Sequence, residues 1–220
     1  MTFLEMVKML WRESGTGGKE PTTVIGTVGE QLRLVNWINR ANHEIQLEHS
    51  DWGFLWDTNT VPTVVDQSTY VAPATLREYD IRTFKIDGEP IEVVDYLRVK
   101  HEFYDAESGP VYRAVMLPNG NIRLDQTPSA VQSLTYDYYS TPIAMTLADS
   151  SESVIPEAYR EAIVGRALLL YAQYEEAPEL IPQAQLMYAS YMSALEASWL
   201  PENRRTHKQA EGNHMEMVVE

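Results

Sequence analysis

The chain has 220 residues, 44% hydrophobic and 22% charged, with 32 acids against 17 bases and a net charge of −15. That is enough for one large domain or two small ones with a real core. The acidity argues against a sequence-independent nucleic-acid binder, which needs Lys and Arg to displace counterions, and solubility is the plainer reading of it. There is no cysteine, so disulfides, thiolate nucleophiles and cysteine-held metals are excluded, and assembly in a reducing cytoplasm is compatible.

The N-terminal MTFLEMVKMLWRES carries acids and lacks the small-residue cleavage site of a signal peptide. No apolar stretch approaches the ~18–20 residues of a membrane span. Thr2–Ser14 reads as a short helix opened by a Thr-x-x-Glu capping box, with Phe3, Met6 and Leu10 on one side and Val7 and Trp11 adjoining. Gly15-Thr16-Gly17-Gly18-Lys19 breaks it. This stretch fails as a phosphate-binding loop: the glycine spacing is wrong, Glu20 stands where a hydroxyl belongs, and a helix precedes it. It reads as a flexible connector leading through the extended Pro21–Gly26.

Gly29–Trp56 is the stretch around which the chain is organised. Leu32, Val35, Ile38, Ala41 or Asn42, and Ile45 keep helical spacing, and Arg33, Arg40, Glu44 and Glu48 fall mostly outside that stripe. Trp52, Phe54 and Trp56 follow as an aromatic knot, with Gly53 turning the chain.

The texture then changes to short alternating runs. Val61–Asp66, Ser68–Ala72 and Leu76–Asp87 are expected strands. Asp87-Gly88 is the strongest hairpin signal in the chain. Asp95–Tyr104 is strand or short helix; Val111–Leu117 and Ile122–Asp125 flank the Pro118–Asn121 turn. Ser133–Ser140 sets Leu134, Tyr136 and Tyr138 on one face and Thr135, Asp137 and Tyr139 on the other. Thr58–Ile143 as a whole reads as an antiparallel β-module. Helical texture returns at Pro156, with Tyr159, Ile163, Ala167, Leu170 and Tyr174 expected on one face. After Pro178 and Pro182 a last helix carries Ala184, Tyr188, Tyr191, Leu195 and Trp199, and Pro201 stops it. Glu202–Glu220 is polar with an apolar end and is expected to be disordered in isolation.

Chemistry-bearing patterns are sparse. His43 and His49 are six apart, where a zincin needs two imidazoles one helical turn apart, so the segment reads as a solvated acidic face and no metal is expected. Acids are plentiful, but no pair stands in a distinctive context for acid–base work. There is no Gly-x-Ser-x-Gly elbow. Tyr136, Tyr138 and Tyr139 read as core or interface residues before they read as stacking platforms. No catalytic residue and no cofactor is expected, and a polysaccharide hydrolase is the weaker alternative.

Several motifs recur together in order: Val35-Asn36-Trp37-Ile38-Asn39 running into Asp51-Trp52-Gly53-Phe54-Leu55-Trp56, then Gly109-Pro110-Val111-Tyr112, Gly120–Pro128, Tyr138–Pro142 and Ile155–Val164. Over roughly Met1–Trp199 this layout resembles the head-to-tail adaptor proteins of tailed bacteriophages. The resemblance implies an α+β fold: an antiparallel helical bundle of about four helices with a β-rich, hairpin- or sandwich-like insertion and an extended C-terminal tail. The expected boundaries are residues 1–56 and 151–200 for the helical frame, 57–150 for the insertion and 201–220 for a flexible tail. It implies a non-enzymatic virion protein at the head–tail junction, assembled in the host cytoplasm as a ring of about twelve copies. The expected partners are the portal protein, tail or nozzle proteins, and genome DNA that passes through the lumen unbound. A tail completion or nozzle component is the alternative. At roughly −180 for such a ring, lumen-facing acids would repel phosphate and let DNA slide. The tail, with Met215, Met217, Val218 and Val219, is expected to reach the portal. Arg33, Arg40, Glu44 and Glu48 are expected at subunit or portal contacts, and Trp52, Phe54 and Trp56 at the joint between frame and insertion.

Overall fold

A computed structural model describes residues 1–99 and 107–201. Among them the fold is α+β, with five α-helices and two four-stranded sheets. The chain divides into a helical unit, formed by Met1–Leu55 and the chain from Pro142 onward, and a β-unit, Trp56–Thr141.

In the helical unit, α1 (Phe3–Glu13) begins at the expected capping box: Thr2 Oγ1 accepts from Glu5 N–H and the Glu5 carboxylate accepts from Thr2 N–H. It buries Phe3, Met6, Val7 and Leu10. The connector is anchored by polar side chains, where a loose linker was expected. Arg12 pairs with Glu20 at 2.7 Å, and Asp149 Oδ1 accepts from Val24 N–H at 2.6 Å, with the Val24 side chain in the core. α2 (Gly29–Glu48) buries Leu34, Val35, Ile38, Ala41, Asn42, Ile45 and Gln46. Leu32, expected in that stripe, is exposed, and Leu34 takes its place. The two differ by 200° around the helix, and the neighbours of Val35 and Ile38 decide between them.

α4 (Glu161–Tyr174), not α2, is the element on which the unit is built: α1, α2 and α5 (Ile181–Trp199) all pack against it. It buries ten of its 14 residues, from Ala162 to Ala172. The single face expected there is corrected in two ways: Tyr174 is exposed, while Val164, Leu168 and Tyr171 on other sides are buried. A helix apolar all round has no preferred face, because each side finds a neighbour. Gly165 lets α5 approach closely. A Cβ there would lie 2.8 Å from Tyr188 N and 3.0 Å from Tyr188 Cα.

In the β-unit, β1 (Trp56–Pro62), β8 (Ser133–Ser140), β3 (Leu76–Ile86) and β4 (Glu89–Pro90) form one sheet in that order. β2 (Thr69–Tyr70), β7 (Ile122–Leu124), β6 (Arg113–Met116) and β5 (Glu92–Val94) form the other. The short helix α3 (Tyr96–Val99) follows β5. Phe84, Ile86, Leu134, Tyr136 and Tyr138 of the first sheet and Tyr70, Ala114, Ile122 and Leu124 of the second share one core. β8 alternates as expected, Leu134, Tyr136 and Tyr138 inward, with Tyr136 stacked on Phe84 at 5.0 Å between centroids. The Asp87-Gly88 turn closes β3 onto β4 with φ of 50° and 87°, the positive pair that a two-residue hairpin needs.

Two expectations change. The first strand begins at Trp56 and ends at Pro62, where Val61–Asp66 was expected. The module is not wholly antiparallel: β5 and β6 pair in parallel, Glu92 with Arg113 through Val94 with Val115. A parallel pair needs a long crossover, and the chain between β5 and β6 supplies one.

Replacing Gly165 by Ala pits a helix-propensity gain of up to about 1 kcal/mol against overpacking of about 1–3 kcal/mol. The contact is with backbone, so overpacking wins. Urea unfolding followed by helical circular dichroism is expected to show Gly165→Ala destabilised.

Candidate functional site

Of the polar residues expected to make contacts along α2, Arg33, Glu44 and Glu48 are engaged by α4 or α5, and Arg40 pairs with Glu44 on α2 itself. Glu44 accepts from Arg40 Nε and from Arg166 Nε, each at 2.7 Å. Burial alone would raise the Glu44 pKa. The hydrogen bonds and charges of Arg40 and Arg166 outweigh it and hold the carboxyl below its usual range. Glu48 accepts from the Tyr188 hydroxyl, and burial together with that carboxylate pushes the Tyr188 phenol upward. Arg33 donates to Tyr174 Oη at 2.5 Å, with its guanidinium 5.0 Å from the ring centroid. Arg33 and Arg40 keep 44% and 64% of their side-chain surface exposed. Two cations are thus presented outward, while the two acids tie α2 to α4 and α5.

Of the two histidines, His43 is exposed and His49 caps the C-terminal end of α2. His49 Nε2 lies 3.0 Å from Glu196 Oε1, and the ligand atoms of Glu48, His49 and Glu196 all lie within 4.8 Å of one another. Among the described residues, these three bring donor atoms close enough together to share a divalent metal, with Glu48 exposed. Glu196 stands 147 positions from His49, so no local spacing signals it.

Trp52 is fully buried, its Nε1–H donating to Ile45 O at 3.1 Å and its ring stacked on Phe54 at 5.1 Å. Phe54 meets the edge of Trp199 at 6.1 Å. Gly53 lies so close to α5 that a Cβ there would sit 3.2 Å from Trp199 O. The third ring of the cluster is therefore Trp199. Trp56, expected there, begins β1 and is 48% exposed.

A buried polar network escaped the sequence reading altogether. Gln46 brackets Ile143, its amide donating to Ile143 O at 3.1 Å and accepting from Ile143 N–H at 2.8 Å. Asn42 donates to the same carbonyl and accepts from Ser153 Oγ at 2.5 Å. Arg160, nearly buried, donates to Ile155 O, Ser153 O, Met1 O and Glu152. These bonds pin the chain where it re-enters the helical unit. The helical position of Asn42 and Gln46 was the available signal: amides on an apolar stripe need partners.

Two clefts flank β5 and α3. One, of about 330 Å³, sets Glu92 and Asp95 among Arg98 and Arg113. The other, of about 650 Å³, is mostly apolar and lined by Ile81, Val94, Tyr96, Leu97 and Met116 among others. Among the described residues no helix is long and apolar enough to cross a membrane. Met215, Met217, Val218 and Val219 lie outside the described residues.

Glu44 is a group whose folded pKa is depressed, so its stabilisation is present above the unfolded value near 4.5 and is lost as pH falls through the lower folded value. Glu44→Gln is expected to cost up to about 1 kcal/mol at neutral pH. The gap from wild type should close below pH 4.5 in a pH series of urea midpoints. Gln46→Ala removes the partner of the Ile143 N–H, while the Ile143 carbonyl keeps the Asn42 amide. The expected cost is about 1–3 kcal/mol, read in the same unfolding experiment at pH 7.

No curated protein matches the chain. A family model described as SU10 adaptor protein matches residues 1–213, nearly the whole length, which agrees with the ordered motifs that resemble phage head-to-tail adaptors; the chain belongs to the SU10 adaptor protein family.

Proposed function

We propose that this protein is a structural adaptor at the head–tail junction of a phage virion, forming a ring of about twelve copies beneath the portal. The match to the adaptor family over residues 1–213 is the observation that carries this reading. In it, α1, α2, α4 and α5 act as an antiparallel bundle forming the rigid frame of each subunit. The inserted β-unit is the module presented toward tail or nozzle proteins, with Trp52, Phe54 and Trp56 at the joint. Arg33 and Arg40 are the exposed cations offered to a neighbouring subunit or the portal, and Glu44 and Glu48 hold the helix that displays them.

The net charge of −15 per copy suits a channel that genome DNA traverses without adhering, since a surface poor in cations releases few counterions from phosphate. The protein does structural work in this reading and turns over no substrate. Cryo-EM of the purified protein with its portal tests it. A ring seated below the portal supports the reading, and a protein that stays monomeric and never binds portal overturns it.

The segment 202–220 is the proposed portal anchor, through Met215, Met217, Val218 and Val219. Truncation after Pro201 removes none of the buried residues of the described core. It is expected to leave circular dichroism and melting unchanged and to weaken portal co-assembly about tenfold or more. Unchanged co-assembly would rule out that role for the tail.

A further inference from the structure

β1 is an outer strand. It is bonded to β8 on one side, and among the described residues no strand lies on the other. Its pairing phase follows from hydrogen bonds at both edges of β8. Thr63 N–H donates to Gln132 O at 2.8 Å on the β1 side. On the β3 side, Asp87 N–H donates to Ser133 O and Asp137 N–H to Thr83 Oγ1. Even-numbered residues of β8 therefore bond to β1 and odd-numbered ones to β3. With the register Val61↔Leu134, Asp57, Asn59 and Val61 bond to β8. Trp56, Thr58, Thr60 and Pro62 turn their main-chain groups outward. Pro62 sits where a missing N–H costs the sheet nothing. Thr58 N–H is held by the side chain of its own neighbour, Asp57 Oδ1, at 2.8 Å, a local substitute for a strand.

Of the usual protections of an edge, β1 has only Pro62 at its end and the single acid Asp57. β1 is seven residues long, carries no Lys or Arg and runs in unbroken register with β8. The other outer strands, β2, β4 and β5, have two, two and three residues.

We propose that β1 pairs antiparallel with β1 of a second copy of this chain, about a twofold axis at Thr58, joining two four-stranded sheets into one. Length and regularity select this occupant: the open part of β3 is longer, but register shifts between Leu76 and Glu78 and between Asp80 and Lys85 break it, so among the described strand edges only another β1 matches a five-residue ladder. Chemistry selects the register. Centred on Thr58, the outward amides meet in three bonded pairs, Trp56 with Thr60 of the second copy, Thr58 with Thr58, and Thr60 with Trp56. Aromatic with β-branched and threonine with threonine are favourable cross-strand neighbours. On the other face Asp57 meets Asn59 of the second copy, a carboxylate against an amide donor. Thr58 N–H turns to the new strand and frees Asp57 Oδ1 for that amide. Centring one residue earlier sets Asp57 against Asp57. Centring one residue later brings Pro62, with no N–H, into the ladder.

Five residues a side bury much less than the ~800 Å² per partner of a stable complex, so the dimer is weak, with a dissociation constant of about 10 µM or more. A twofold pair is closed by two copies, so this contact is separate from any cyclic ring contact.

Sedimentation velocity of the full chain from about 1 to 300 µM tests the pairing. Wild type is expected to shift from monomer to dimer. Thr58→Lys, which opposes two ammonium groups on the axis, is expected to stay monomeric with an unchanged circular dichroism spectrum. Thr58→Cys meets itself at a Cα separation of ~5.5 Å, within disulfide range. With no other cysteine in the chain, its oxidation is expected to give one cross-linked dimer at least tenfold faster than Leu186→Cys, an exposed control on α5. Three results overturn the proposal: a wild type monomeric throughout, self-association that Thr58→Lys leaves unchanged, or Thr58→Cys cross-linking no faster than the control.

Discussion

The close approach of α5 to Gly165 of α4 is the constraint from which the rest of the helical unit follows. A helix that buries Ala162 through Ala172 on every side needs neighbours on every side, and α1, α2 and α5 are those neighbours. Fully burying a large aliphatic side chain stabilises by about 1.5–3 kcal/mol. The apolar run of α4 is therefore a strong driving force, but only when all three helices are in place. Small residues at Ala162, Gly165 and Ala167 set how near they come. Gly53 repeats the device at the end of α5, where Trp199 closes over the Trp52–Phe54 stack.

A chain that leaves its core at Leu55 and returns at Pro142 must re-enter without stranding polar backbone inside. Asn42, Gln46, Ser153 and Arg160 solve that problem with side chains, since no strand or helix covers Ile143 to Ile155. The β-unit meets its own constraint differently. Its core is organised by β8, whose strict alternation places three large side chains inward while Thr135 and Asp137 face out. Each unit thus closes on interactions internal to itself.

Legibility followed the range of the physics involved. The capping box at Thr2, the Asp87-Gly88 turn and the two faces of β8 are set by residues at most a few positions apart, and each is visible as a pattern. The buried face of α2 was half legible. Val35, Ile38 and Ile45 were unambiguous, but Leu32 and Leu34 are equally apolar, and only packing chooses between them. For α4 the pattern held too little information, because an almost wholly apolar helix points nowhere. Trp199 as the third ring, Glu196 beside His49, and the parallel pairing of β5 with β6 all join distant positions, and no spacing rule reaches that far. The acids of α2 looked like ordinary surface because their partners, Arg166 and Tyr188, lie more than a hundred residues on.

The split of the helical unit across the chain also sets the order in which the protein is made. A ribosome delivers α1 and α2 first, but their buried faces have no α4 to close on until more than a hundred further residues have been synthesised. The β-unit is contiguous, and all its strands are synthesised before α4. Its antiparallel pairings join residues of one uninterrupted segment, so the insert can mature during translation while the two N-terminal helices wait. The nascent chain therefore reverses the usual progression of N-terminal parts first. Its most vulnerable interval is the one in which Phe3, Leu10, Leu34 and Ile38 are already outside the exit tunnel and still uncovered.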